Sequence, residues 1–244
     1  MRPFLLLGTR AEDRAADDEY DAFLRFGGLQ EHELVRHRLE RDELGPVDLE
    51  RWSGIVLGGS PFTTSVPEAS KSPAQLRVEK ELAALLDEVV PRDFPFLGAC
   101  YGVGTLGVHQ GGLVDSTYPE PVGATDVRLT DAGRADPLLG VLPTVFEAFV
   151  GHKEAVTTLP GHALHLASSA ACPVQAFRVG RNVYATQFHP ELDVPSIQTR
   201  IELYKDAGYF PPETADDLKA AAARTSVQHP PRLVARFVEL YARD

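Results

Sequence analysis

The sequence predicts an α/β domain built on a parallel sheet, and three features of its 244 residues lead there. Short apolar runs alternate with longer segments of helical periodicity up to about residue 110. That is the pattern of repeated strand-helix-strand units with right-handed crossovers. Phe96-Leu97-Gly98-Ala99 is apolar on both faces, as expected of a strand inside a parallel sheet. Glycine-rich turns close two of the strands, Gly58-Gly59-Ser60 in one case and Cys100-Tyr101-Gly102 in the other. Ligands gather at the carboxyl ends of such strands. The length suits one domain with a full core and is short for two catalytic domains.

Taken in order, residues 3–8 form the first strand, and residues 18–26 space their apolar side chains as a helix ended by Gly27-Gly28. Residues 33–38 supply a second strand by their place in the alternation, and 54–57 a clear third. Residues 61–73 are too rich in Ser, Thr and Pro for regular structure and stand as either a lid or a plain connection. Residues 75–90 form a long amphipathic helix with Val78, Leu82, Leu85 and Val89 on one face. It leads into Phe96–Ala99, and the helix that follows is closed by Gly111-Gly112. Strands then dominate, at 127–129, 145–150, 163–167, 174–178 and 182–188, with a hairpin turn at Gly180-Arg181. Helices over 197–207, 214–223 and 233–241 complete the chain. The expected organisation is a catalytic domain over 1–195 and a helical extension over 196–244 packed on it. Its stripe of Leu233, Val234, Phe237, Val238 and Tyr241 covers a sheet edge in this reading.

Composition narrows the function. A net charge of -11, with no Lys/Arg run, would repel nucleic acid and anionic membranes, so neither is an expected partner. Cys100 and Cys172 are the only cysteines and have no framework spacing, which suggests a reducing, cytoplasmic setting. The apolar run Phe4-Leu5-Leu6-Leu7 turns polar at Thr9, too soon for a signal peptide or a membrane span. No His/Cys/Asp group has metal-ligand spacing and no Walker loop is present, so neither metal nor cofactor is expected.

The chemistry centres on Gly98-Ala99-Cys100-Tyr101-Gly102. A nucleophile between two glycines, at a sharp strand-to-helix turn, is the nucleophile-elbow arrangement with Cys in place of Ser. The helix N-terminus beside it favours thiolate over thiol. A thiol nucleophile needs a base, and the base needs an orienting group. Gln187-Phe188-His189-Pro190-Glu191 offers both. Residues two apart in an extended segment point the same way, so Glu191 can hold one nitrogen of His189 while the other faces the sulfur.

Strand-Gly-Gly-Ser-Pro, Gly-Ala-Cys-Tyr-Gly and Gln-Phe-His-Pro-Glu, in that order over residues 50–195, resemble the class I (triad) glutamine amidotransferase family. The resemblance implies a three-layer αβα, flavodoxin-like fold and hydrolysis of the glutamine side-chain amide. It implies Cys100 as nucleophile, His189 as base and acid, and Glu191 as orienter. Backbone N–H groups of Tyr101 and of the Gly59-Ser60 turn would form the oxyanion hole. Gly58, Gly104, Gly151 and His152 would lie along the substrate, with Gly151-His152 in a loop that meets its amino-acid end. The acceptor of the ammonia would be on a synthase partner or absent.

The sequence departs from the family at Gly104, where most members carry a Gln that grips the substrate. Two readings stand: a roomier pocket for a bulkier γ-glutamyl compound, or backbone contacts that make the glycine neutral. The first favours hydrolysis of γ-glutamyl peptides or conjugates over that of free glutamine. A third possibility is a non-catalytic regulatory subunit, against which the complete Cys100, His189 and Glu191 set argues. Gly102-Val103-Gly104-Thr105-Leu106-Gly107 also fits the dinucleotide fingerprint. Cys100 and Tyr101, however, occupy the turn that should cradle the pyrophosphate, and small residues for close helix packing are the simpler account. Glu120, spaced as that fingerprint's ribose-binding acid, reads as a turn residue, and Cys172 reads as structural.

Overall fold

The computed structural model describes all 244 residues. The chain runs β1 (Phe4–Gly8), α1 (Asp13–Gly27), β2 (Leu34–Arg38), β3 (Ile55–Leu57), α2 (Pro73–Val89), β4 (Phe96–Ala99) and α3 (Tyr101–His109). It continues through β5 (Leu113–Asp115), β6 (Glu120–Leu129), α4 (Asp131–Ala135), β7 (Val145–His152), β8 (Ala155–Thr158) and β9 (Leu164–Ser168). β10 (Ala176–Val179), β11 (Val183–Thr186), α5 (Val194–Leu203), α6 (Ala215–Ala222) and α7 (Pro231–Tyr241) follow. Nine strands form one sheet in the order β2-β1-β3-β4-β11-β10-β9-β6-β7. β2, β1, β3, β4 and β11 run parallel, and the sheet continues antiparallel from β11 to β7.

Alternation along β1 creates the layers, since every one of its residues is buried. Phe4 and Leu6 meet Val56, Leu97, Phe23 of α1 and Phe237 of α7 on one face. Leu5 and Leu7 meet Ile55, Leu57, Val78 and Leu82 of α2, and Val103 and Leu106 of α3 on the other. Local signals fix the helix ends. Ser72 accepts a hydrogen bond from the Gln75 N–H and Pro73 opens α2, while Gly28 (φ 63°) closes α1 in the left-handed region. Gly180 (φ 59°) turns the chain between β10 and β11.

α7 lies over a sheet face beside α1 rather than along an edge. The Phe237 ring stands 5.9 Å from that of Phe4, and its truncation to Ala would cost about 3–5 kcal/mol. α5 and α6 bury Ile197, Ile201, Ala215 and Ala222 against Phe149 of β7. Three elements were not anticipated: α4 and the small antiparallel pair of β5 and β8. β6 also begins seven residues before the expected strand, because its first half, Glu120 to Asp126, holds Pro121 and Gly123 and only two apolar side chains, Val122 and Ala124, too weak a strand signal, yet it pairs with β7. No helix is long and apolar enough to cross a membrane.

Candidate active site

The order β1-β3-β4-β11 sets the carboxyl ends of four strands side by side. Arg10, Gly59, Cys100 and His189 follow those strands directly, so residues far apart in the chain converge at one edge.

Cys100 has φ 51° and ψ -85°, one of two non-glycine residues with positive φ. Such backbone costs on the order of 1–3 kcal/mol and persists only where its surroundings hold it. Here the Cys100 N–H donates to Thr186 O at 2.7 Å, tying the elbow to β11. A Cβ on Gly98 would lie 2.8 Å from Gly102 Cα, so the strand and the helix can meet only with glycine at 98. Tyr101 opens α3, where an N–H has no intrahelical acceptor. The N–H groups of Gly59 and Ser60 have no acceptor in the chain either.

His189 is fixed by its backbone N–H, which donates to Phe149 O at 3.0 Å. Its Nδ1–H donates to Glu191 Oε1 at 2.8 Å, and the ring also meets the Cys100 sulfur. Burial alone would drive the proton off His189, but Glu191 and Cys100 outweigh it and raise its pKa above the usual histidine range. Glu191 is fully buried, which opposes its charge. The His189 ring and Arg200, whose Nη1 lies 3.3 Å from Glu191 Oε1, nonetheless hold it below the usual carboxylate range. Gln187, which carried no role in the sequence reading, is buried with its Nε2 3.9 Å from Cys100 Sγ and its Oε1 unpartnered.

Gly59 stands where two side chains close on the backbone. A Cβ there would lie 2.7 Å from both Arg10 Nη2 and His189 Cε1. Arg10 was also missed, because a single Arg after the first strand carries no motif. It is 5 % exposed, donates from Nε to Glu19 Oε1 at 3.0 Å and from Nη1 to Tyr204 OH at 3.4 Å. Arg200 Nη2 donates to the same Glu19 oxygen at 3.4 Å. Gly58 lines neither cavity beside Cys100; a Cβ on it would strike the Glu19 carboxylate.

Two cavities meet at Cys100 and share Ser60, Gly151 and Tyr209. The first is polar and lined by Tyr101, Gly104, His152, Lys153, Glu154 and Gln187 among others. Gly104 does not leave it roomier. Its missing side chain is replaced by Thr64, whose Oγ1 would be 2.9 Å from a Cβ, and by Glu154 Oε1 at 3.2 Å. The 61–73 segment is pinned there, with the N–H groups of Thr64 and Ser65 each donating to the Glu154 carboxylate at 2.7 Å. The second cavity, of about 60 Å³, is mainly apolar and is walled by α5 and the residues after it. His189 lines this one and not the first.

His152 is buried and shapes its loop, its ring bonded to Glu154 O and to Glu120 Oε2, both at 2.9 Å. Glu120 is therefore no turn residue. It is a buried anchor that also accepts from Ser169 and Gln175. Burial opposes its charge, but these donors hold it below the usual range. Sequence spacing gave no sign of a ligand-type group, yet the fold brings Glu120, His152 and Cys172 within 4.8 Å of one another. The first two are satisfied by protein hydrogen bonds, and burial pushes the Cys172 thiol up to about 12. In the Gly-x-Gly-x-x-Gly stretch, a Cβ on Gly107 would lie 2.8 Å from Val156 Cγ2, so that glycine serves helix packing on β8.

The GMP synthase (glutamine-hydrolyzing) of Aeropyrum pernix is 31% identical over 179 residues, 68% of this chain and 32% of its own length. That of Edwardsiella ictaluri is 29% identical over 146 residues, 57% of this chain and 25% of its own length. The chain thus spans about a quarter to a third of these relatives. A solved glutamine amidotransferase from Methylobacillus flagellatus shares the fold with a TM-score of 0.75 at 19% identity, covering 100% of this chain and 97% of the other. One from Thermotoga maritima does so with a TM-score of 0.71 at 23% identity, covering 98% and 99%. The model of the class-I glutamine amidotransferase family matches residues 29–201, and the chain belongs to that family.

Proposed function

We propose that the chain hydrolyses γ-glutamyl amides, glutamine among them, with Cys100 as nucleophile, His189 as acid and base and Glu191 as its orienter. One observation carries this reading: the strained Cys100 elbow faces a histidine ring that a buried carboxylate holds at 2.8 Å. The Cys100 sulfur adds to the amide carbon, and the N–H groups of Gly59, Ser60 and Tyr101 would receive the oxyanion. His189, whose raised pKa keeps it protonated near neutral pH, gives its proton to the departing nitrogen. It then takes one from the water that cleaves the thioester. Gly104, Gly151 and His152, with Glu154 and Gln187, would border the glutamyl chain; Gly58 would act behind the site by admitting Glu19.

Residues 196–210 would complete the wall of the site rather than form a separate unit, because Ile197, Arg200, Ile201, Tyr204 and Tyr209 all border a cavity at Cys100. As the relatives are GMP synthases several times longer than the matched region, a synthase partner would receive the ammonia. The free Cys100 and Cys172 support a cytoplasmic setting. A second reading, hydrolysis of γ-glutamyl conjugates, is favoured by the cavity on the His189 side, which exceeds what ammonia needs. The test is ammonia release from L-glutamine beside a Cys100→Ala control. Cys100-dependent release is expected; release that persists in the control would refute the assignment.

A further inference from the structure

The two cavities divide the substrate between them. In amide cleavage the departing nitrogen must face the acid that protonates it. His189 borders only the apolar cavity, so whatever substituent the leaving nitrogen carries extends into that cavity, while the glutamyl chain lies in the polar one. At roughly 10–15 Å³ per water, the 60 Å³ there exceeds the single water that ammonia would replace, and because the cavity opens to solvent the end of a longer substituent extends beyond it.

The lining says what the substituent is. Val122, Val150, Ile197, Ile201 and Phe210 supply an apolar wall that would complement an apolar side chain. Arg10 adds one positive group. It is 5 % exposed, two of its nitrogens are used by Glu19 and Tyr204, and Nη2 has no acceptor in the chain. Nη2 and His189 Cε1 both lie 2.7 Å from the point a Gly59 Cβ would occupy, so they flank the same spot. Arg200, also bordering the cavity and buried, has Nε and Nη1 without a hydrogen-bond acceptor. A carboxylate one carbon from the leaving nitrogen would sit beside His189, within reach of that unused guanidinium edge.

We propose that the apolar cavity takes the leaving amine of a γ-glutamyl amide, and that this amine is an α-amino acid with an apolar side chain. The inference rests on the reading of Cys100 as the nucleophile given above. The sulfur forms a bond to the γ-carbonyl carbon, the C–N bond breaks, and the nitrogen leaves with a proton from His189 as the free amino acid. Water then attacks the thioester, His189 takes its proton, the C–S bond breaks, and glutamate leaves.

The experiment compares kcat/KM for γ-glutamyl-leucine, γ-glutamyl-3-methylbutylamide, which lacks only the carboxylate, and L-glutamine, in the wild type and in Arg10→Leu and Ile201→Trp. The dipeptide is expected to exceed glutamine by about tenfold or more, and the decarboxylated amide by about 10- to 100-fold, the range of one charged hydrogen bond. Arg10→Leu should erase the second difference, and Ile201→Trp should shrink the ratio of dipeptide to glutamine. The wild-type comparison stands even if a variant fails to fold. Glutamine cleaved as well as or better than the dipeptide, or indifference to the carboxylate, would overturn the inference and leave the nucleophile reading intact. Silence on all three substrates would overturn both.

Discussion

Glu19→Gln tests the buried charge network that holds the site together. Glu19 is 1 % exposed and its Oε1 accepts from both Arg10 Nε, at 3.0 Å, and Arg200 Nη2, at 3.4 Å. Arg10 is buried, which works against its charge, yet Glu19 and Tyr204 more than offset that and keep it firmly protonated. An amide in place of the carboxylate leaves two buried guanidinium groups sharing Glu191 alone. Removing one member of a buried ion pair costs about 3–5 kcal/mol. For a chain of this size, at roughly 2–4 °C per kcal/mol, the midpoint of thermal unfolding should fall by roughly 6–20 °C. The double variant Glu19→Gln/Arg10→Met removes the stranded charge as well and should recover part of that loss. Differential scanning calorimetry reads both. A fall of under about 2 °C in the single variant, or a double variant worse than the sum of its parts, would refute the reasoning.

Other outcomes follow from the same geometry. Gly59→Ala drives a Cβ to 2.7 Å from His189 Cε1 and Arg10 Nη2, so kcat should fall about 100-fold through displacement of the ring; unchanged kcat would contradict this. Glu154→Ala should free the 61–73 segment, read as at least about tenfold faster hydrogen exchange at the Thr64 and Ser65 amides; equal exchange would show the clamp is idle. Glu191 is held below its unfolded pKa of about 4.3, so its contribution to stability is complete above that value and fades as pH falls through the lower folded one. His189 is raised above about 6.5, so its contribution is complete below that and fades as pH rises through the folded value. Urea unfolding across pH should therefore show an alkaline loss of stability that His189→Asn flattens, and an alkaline limb identical in the two proteins would exclude the pairing.

The parallel core was legible because its signals are local. β4 is apolar on both faces, Ser72-Pro73 starts a helix and Gly28 stops one, and each of these acts through residues near in the chain. Cys100, His189 and Glu191 were legible for a related reason: elbow and histidine each sit in a short pattern, and the fold places the two patterns on the neighbouring strands β4 and β11. Arg10, Glu19 and Arg200 left no trace, since an ion network between a loop and two helices has no sequence period. Gly104 was ambiguous, since the sequence allowed either a roomier pocket or a neutral glycine. A glycine implies space, but Thr64 and Glu154, 40 and 50 residues away in the chain, fill it, and only the fold reveals that. β5 and β8 escaped because three- and four-residue strands are too short for alternation to register.

The proposed mechanism passes through a γ-glutamyl thioester at Cys100, and that bond can be seen directly. Acid-quenching the protein during turnover of a γ-glutamyl substrate, then mapping it by peptide mass spectrometry, should find one glutamyl residue on the Cys100 peptide and none in Cys100→Ala. Glutamate released at the full steady-state rate with no glutamyl adduct on Cys100, or with the adduct on another residue, would contradict it.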